Sequence, residues 1–306
     1  MNVLHMKYAL EVARSGSINK AAETLLIAQP NLSRAIKELE GSLGITIFER
    51  TTRGMTPTPE GEAFLNYAAN IQKQIDEVEN IYKGSFVQKQ RFSVCVPRAT
   101  YISEGFANFT QKIGSDPVEI FYRETNASNT IKNVLSSEYK LGIVRYASHF
   151  DKYFKSMFTD KGLEYELISE FRFMLVMSRR SPLAELDEIH FTDLEKYIEI
   201  AHADPYVPFM SMAEVRREEL PDNIRRRIFV FERGSQFDLL TDNEETFMWV
   251  SPLTDKMLER YDLVEKPCAD NDKLYRDVLI HRNDHNLSKL EKLFITEVCM
   301  SKRKYL

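Results

Sequence analysis

Residues 15–44, SGSINKAAETLLIAQPNLSRAIKELEGSLG, constrain the fold more than any other stretch. They read as two helices joined by a tight turn. Ser17 is a suitable N-cap for the first, after which Ile18, Ala21, Ala22 and Leu25 fall on one helical stripe. Gln29-Pro30 restarts the chain, with Pro30 in a first turn where its missing N–H costs nothing. Leu32, Ile36, Leu39 and Leu43 then make the buried stripe of the second helix, leaving Gln29, Pro30, Asn31, Ser33, Arg34 and Lys37 on the polar side. Amide and guanidinium forks match base edges, and hydroxyl and ammonium groups match phosphates, so this helix suits a DNA groove. Two β-prone segments follow, Gly44 to Phe48 and Arg53 to Thr58, flanking Glu49-Arg50-Thr51-Thr52. They predict a two-stranded wing with Arg50 and Arg53 near its tip, where arginine can enter a narrow, electronegative minor groove. Helix, turn, helix and wing in that order make a winged helix-turn-helix.

Many of these positions carry a resemblance to the LysR-type transcriptional regulators. It rests on Ser15-Gly16-Ser17, Ala21-Ala22, Leu25, Gln29-Pro30, Leu32-Ser33 and Ile36, and continues through Leu39-Glu40, Leu43-Gly44, Phe48, Arg50, Arg53, Thr58 and Gly61. The resemblance implies DNA reading by the helix bearing Gln29, Pro30, Ser33 and Arg34, with Arg53 at the wing. The sequence departs from the family at Ala28, where Ser or Thr often stands before the Gln-Pro pair. Losing that cap costs roughly 1 kcal/mol of local helix stability without touching the reading face. Lys37 falls where the family varies and reads as a phosphate contact. Ser17, Asn31 and Arg50 complete the expected DNA-binding set.

Pro59-Glu60-Gly61-Glu62 opens a further helix, with proline in the first turn and acids where the helix dipole favours them. Phe64, Ala68, Ile71, Ile75, Val78 and Tyr82 recur at alternating spacings of four and three, a seam with a 3.5-residue period that ends near Gly84-Ser85. Such a narrow stripe pairs two copies of a helix or packs one helix on its own domain. A single recognition helix reads few base pairs, and two-fold symmetry doubles its contacts on a palindrome, which favours pairing. The family resemblance implies the same, a homodimer or homotetramer.

The chain has 306 residues, enough for one or two units beyond a head of roughly 60 residues. Net charge is −5, yet residues 1–58 carry seven Lys and Arg against five Asp and Glu, leaving +2 on the head and −7 on the rest. Distribution matters more than the sum: a weakly basic head implies modest non-specific DNA affinity and dependence on paired geometry. Apolar runs such as Phe173 to Met177 are far short of the roughly 20 residues of a membrane span. No leader resembling a signal peptide precedes the first helix, so a cytoplasmic protein is expected. Cys95, Cys268 and Cys299 lack C-x-x-C spacing and read as small core residues, although some members of the resembled family sense oxidants through a cysteine pair.

Beyond Lys89 the texture becomes alternating strand and helix. Strands at Arg91 to Pro97, Val118 to Tyr122 and Leu141 to Val144, with helices between them, imply a parallel sheet flanked by helices. A second unit is expected from Leu163, with strands at Phe171 to Met177, Tyr197 to Ala201, Ile228 to Phe231 and Phe247 to Val250. Leu274 to His281 and the helix Leu287 to Val298 read as a return to the first unit. The expected architecture is therefore an all-α winged helix-turn-helix over 1–58, a linker and dimerisation helix with hinge over 59–90, and a two-lobed α/β effector-binding domain over 91–306. Lobe 1 is placed at 91–162 and 268–306, and lobe 2 at 163–267. The two lobes resemble the periplasmic-binding-protein fold that the family carries.

Ligands of open α/β sheets lie beyond the carboxyl ends of the strands, near helix N-termini. That rule selects Arg98, Ala99, Thr100 and Tyr101 after the first strand, Asn126 and Ser128 after the second, Arg145 after the third, and Ala203 and Asp204 in the other lobe. Thr100 and Ser128 beside helix N–H groups, with Arg98 and Arg145, favour a small anionic effector. Nothing in the pattern asks for a cofactor, a metal or a catalytic group: G-x-S-x-G and P-loop patterns are absent, and His281 and His285 flank a turn rather than sharing a helix face. The basic runs Arg225-Arg226-Arg227 and Lys302-Arg303-Lys304 read as solvated surface. The expected partners are double-stranded promoter DNA, a small-molecule effector and a second copy of the chain, with no membrane. An α/β enzyme bearing a DNA-binding head and a redox switch are the alternatives.

Overall fold

The computed structural model describes residues 2–51, 54–82, 89–204, 206, 210 and 224–306, without the side chains of 77 and 80–82. The chain divides into two compact units, Met1–Gln88 and Lys89–Leu306.

In the first unit the short apolar stripes become three helices, α1 (Val3–Ser15), α2 (Ile18–Thr24) and α3 (Gln29–Leu43). Strands β1 (Phe48–Thr51) and β2 (Gly54–Pro57) pair antiparallel, with Arg50 opposite Met55, and α4 (Pro59–Tyr82) follows. Met6, Ala9 and Val12 of α1, Ala21 and Ala22 of α2, and Leu32, Ile36 and Leu39 of α3 close one core over Ile47, Phe48, Leu65 and Ala68. Ser17 caps α2 by accepting the Lys20 N–H at 3.5 Å. Ala28 starts α3 with no side-chain cap, as its methyl group requires.

The wing is fastened to the rest of this unit at both ends. Gly16 ends α1 in the left-handed region at φ 63°, and its carbonyl accepts the Met55 N–H at 2.9 Å. Gly54 crosses so close that a Cβ there would lie 2.4 Å from that same carbonyl oxygen. At the other end the Glu40 carboxylate accepts the N–H groups of Ile47 (2.7 Å) and Phe48 (3.2 Å). Thr58 donates to the Thr46 carbonyl at 2.6 Å and accepts the Gly61 N–H at 2.9 Å.

The second unit holds two five-stranded sheets. The first contains β3 (Gln90–Val96), β4 (Val118–Glu124), β5 (Leu141–Ala147), β6 (Leu163–Arg172) and β12 (Leu274–Arg282), in the order β4-β3-β5-β12-β6. The second contains β7 (Met174–Ser178), β8 (Ile198–His202), β9 (Arg226–Val230), β10 (Thr246–Val250) and β11 (Leu263–Lys266), in the order β11-β7-β10-β8-β9. Helices cover both faces of the first sheet. On one side α5 (Thr100–Gln111) and α11 (Lys289–Tyr305) bury Phe92, Phe109 and Phe294. On the other, α6 (Ala127–Leu135) and α7 (Asp151–Asp160) bury Ile131, Phe154 and Phe158. The second sheet carries α8 (Pro182–Glu185), α9 (Gly234–Asp242) and α10 (Asp255–Arg260).

Two expectations are corrected here. Neither sheet is purely parallel: β12 runs antiparallel to β5 and β6, and β7 runs antiparallel to β10 and β11. The segment from Leu163 also does not open the second lobe, because β6 pairs with β12 along its whole length in the first sheet. The crossing falls at Phe173, so the apolar run Phe171 to Met177 is two strands in two sheets. Large residues stand on both sides of Phe173, broken only by Arg172, and such a pattern carries no mark of where a strand leaves one sheet for another.

Candidate functional site

The polar side of α3 is the first candidate. Leu32, Ala35, Ile36 and Leu39 face the core, which turns Gln29, Pro30, Asn31, Arg34 and Lys37 to solvent and leaves Ser33 half-buried. Arg50 is exposed on β1. Arg34, Lys37 and Arg50 make no ion pair among the described residues, so their charges are free to meet phosphates or bases. The uncapped start of α3 adds first-turn N–H groups without a side-chain acceptor. The Ser17 hydroxyl is engaged as the α2 cap. Arg53, the expected wing-tip contact, lies outside the described residues.

The seam on α4 divides differently from the expectation of a pairing surface throughout. Ala68 is fully buried in the unit's own core, with Phe64 and Ile71 packed against it. Those residues serve the fold of the head because α4 lies on α1. Ile75 is half-buried and Val78 is 53% exposed, which leaves the distal half of the stripe available. The Tyr82 side chain lies outside the described residues.

The second candidate is a cavity of about 540 Å³ in the second unit, beyond the carboxyl ends of β3, β5 and β8. Phe173, Trp249 and Tyr275 supply aromatic wall, with the Phe173 and Tyr275 rings stacked 4.1 Å apart. Of the expected effector residues, Arg98, Asn126, Arg145 and Asp204 line it. Ala99 and Thr100 line a smaller chamber beside it, and Tyr101, Ser128 and Ala203 line neither. Thr100 donates to the Pro252 carbonyl at 3.3 Å and accepts the Thr254 N–H at 3.1 Å, so its hydroxyl joins the two lobes. Asn126, not Ser128, caps α6, accepting the Asn129 N–H at 2.9 Å.

The two arginines are already neutralised, which removes the physical basis for expecting an anion on charge alone. Arg98 donates to both carboxylate oxygens of Asp204, at 2.9 and 3.3 Å, and to the Phe231 carbonyl at 3.0 Å. Asn126 donates to the Asp204 carbonyl at 3.0 Å, and Arg233 meets Glu124 at 2.6 Å. These contacts clasp the lobes. Arg145 makes a two-pronged bond to the fully buried Asp277, at 2.7 and 2.6 Å, and Tyr101 donates to the same carboxylate at 2.6 Å. Burial, then the Asp277 charge, holds the Tyr101 phenol well above its ordinary pKa, so it stays a donor.

The family model for the bacterial regulatory helix-turn-helix proteins of the lysR family matches residues 3–62, the helices and wing just described. Over those residues the chain carries a lysR-family helix-turn-helix module. The uncharacterized HTH-type transcriptional regulator YcgK of Bacillus subtilis is 46% identical to this chain over 101 residues, 33% of the chain and 31% of YcgK. The curated relatives are thus matched over well under two thirds of their length. Two solved structures share the fold of nearly the whole chain. Full-length CbnR, in complex with its target DNA, matches with a TM-score of 0.60 at 17% identity, covering 98% of this chain and 100% of CbnR. Full-length LysG of Corynebacterium glutamicum, with bound effector Arg, matches with 0.58 at 14% identity, covering 100% and 99%.

Several residues that shape the cavity escaped the sequence reading. Glu199 lines it and pairs with Arg227 at 2.7 Å, and Asp270, Asn271, Asp272 and Lys273 approach from the loop before β12. Only the polarity of that loop marked it in the sequence, since its place beside the cavity depends on β12 returning to the first sheet.

Proposed function

We propose that the protein is a sequence-specific, DNA-binding transcriptional regulator of the LysR type, controlled by a small metabolite bound between the two lobes of its second unit. The observation that carries this reading is the exposed row Gln29, Asn31, Arg34 and Lys37 on α3, amide and cationic groups without ion-pair partners at the uncapped start of a helix. In the complex, Gln29 and Arg34 read base edges in the major groove, while Ser33 and Lys37 hold phosphates. Arg50 and Arg53 serve the wing.

The reading module is 1–58, the linker helix 59–90 and the effector-binding domain 91–306, with the lobes meeting at Phe173. The chain acts in the cytoplasm as a homodimer or homotetramer on a pseudo-palindromic promoter site. A ligand between the lobes controls it only by preferring one arrangement over another. A redox switch finds little support: burial pushes the Cys95 thiol up to about 11 and raises Cys268 and Cys299 as well, which disfavours the reactive thiolate.

Arg34→Ala tests the reading. Footprinting on the DNA upstream of the protein's own gene should lose its protected paired site while sedimentation shows an unchanged oligomer. Retained protection would remove α3 from the reading role.

A further inference from the structure

The cavity has a side chamber, and the two differ in electrical character. The chamber is about 70 Å³ and shares Arg98, Arg145, Phe173, His202, Met248 and Trp249 with the main cavity. At about 30 Å³ per water it holds roughly two waters or one carboxylate group. Arg98, Arg145 and Arg233 form its charged wall, and no Asp or Glu lines it. The carboxylates that pair with these arginines do not line the chamber, so its wall carries the guanidinium groups without their counter-ions.

Inside it are polar groups with nothing to bind. Gln236 of α9 is 3% exposed, and its Oε1 has no hydrogen-bond partner. The Nδ1 of His202 is likewise buried and unpaired. The Ser251 side chain, 2% exposed, lines the chamber beside them. Buried polar atoms left unpaired cost about 1–3 kcal/mol each, so such a cluster marks a place that a polar group fills. The Gln236 amide turns about its terminal bond, so it can present its NH₂ group to an incoming oxygen.

The main cavity has the opposite bias. Glu199, Asp204, Asp270 and Asp272 line it against Arg98, Arg145 and Lys273. Glu199 and Asp204 are held by arginines and Asp270 by His190 and the Phe191 N–H, whereas Asp272 has no partner among the described residues. Trp249 adds a π face that attracts a cation, whereas the Tyr275 ring already carries the Lys273 ammonium at 5.7 Å.

We propose that the effector is a zwitterionic amino acid, its carboxylate in the side chamber against Gln236, Ser251 and the three guanidinium edges, and its ammonium in the main cavity toward Asp272. The apolar part of the molecule lies along Phe173, Met248 and Trp249, the walls common to both spaces. This assignment rests on the cavity being the effector site. It replaces the simple anion with a molecule of two opposite ends, because only the chamber, which holds one carboxylate, has arginines in its wall with no Asp or Glu beside them.

The test uses the full chain with defined probes: the protein amino acids and the ω-amino acids from β-alanine to 6-aminohexanoate. Each is compared, by thermal shift and calorimetry at millimolar concentration, with the amine and the carboxylic acid that lack its other charge. At least one zwitterion should bind about tenfold or more tighter than both of its halves, which is one factor of ten in Kd per 1.4 kcal/mol. Gln236→Leu should weaken that zwitterion and its carboxylic acid, whereas Asp272→Asn should weaken the zwitterion and its amine but not the acid. A carboxylic acid or an amine binding as tightly as its zwitterion overturns the assignment while leaving a ligand-controlled regulator in place. Binding by none of the probes overturns it too, and footprinting with Arg34→Ala judges the DNA-binding reading separately.

Discussion

Asp277 is fully buried and serves three donors, two from Arg145 and one from Tyr101, at the centre of the first sheet beside the cavity. Removing its charge leaves the Arg145 guanidinium uncompensated in a low-dielectric place. Asp277→Asn is therefore expected to cost about 3–5 kcal/mol, read as a lower urea midpoint. His202 gives a second, pH-dependent prediction. Burial, with Arg98 next and Arg233 also acting against the charged form and only Asp204 and a backbone contact opposing, pushes its pKa down from 6.5 to about 4. The unfolded chain then binds the proton more readily, so the contribution is complete above pH 6.5 and is lost as pH falls through the window toward 4. His202→Asn should flatten the decline in melting temperature across that window; an equally steep decline would place the titrating group elsewhere. Arg98 and Arg145 were legible as loop and strand-end residues. Asp204 was legible in the same way, but its pairing with Arg98 and that of Arg145 with Asp277, across 106 and 132 positions, was not, because only the folded sheets bring them together.

Individual elements of the head were readable because their causes are local. Capping by Ser17, the apolar stripes of α2 and α3 and the wing residues all act within a few positions of one another. Two glycines named only by resemblance acquire a physical reason: Gly16 takes the left-handed conformation at the end of α1, and Gly61 sits against β1's approach. A Cβ on Gly61 would lie 2.1 Å from the Ile47 carbonyl oxygen, where backbone on both sides leaves little room to yield. Gly61→Ala should cost about 1–3 kcal/mol by overpacking, seen as earlier melting of the head, while the second unit keeps its own transition. The α4 seam was harder to read. A period of 3.5 residues looks the same whether the stripe meets a twin helix or its own domain, and here Ala68 meets its own domain. The break between β6 and β7 was hidden for a related reason, since both strands need large apolar residues and neither needs a turn residue at Phe173.

At the scale of the whole molecule, self-association is assigned to what α4 leaves uncovered. Ile75→Glu with Val78→Glu should lower the sedimenting mass to that of one chain and weaken binding to paired half-sites. The melting of the head should not change, because Val78 is 53% exposed and outside its core. An unchanged mass would move the pairing surface off this helix. Chain order also has a bearing on how the protein is made. The last described strand, β12, enters the first sheet between β5 and β6, and among the described residues it is the only strand neighbour of β6. On the ribosome, β6 therefore waits through about a hundred residues while every described strand of the second sheet emerges. A stop codon ahead of β12 removes an inner strand of the first sheet rather than its rim, and so falls on the lobe that was started first.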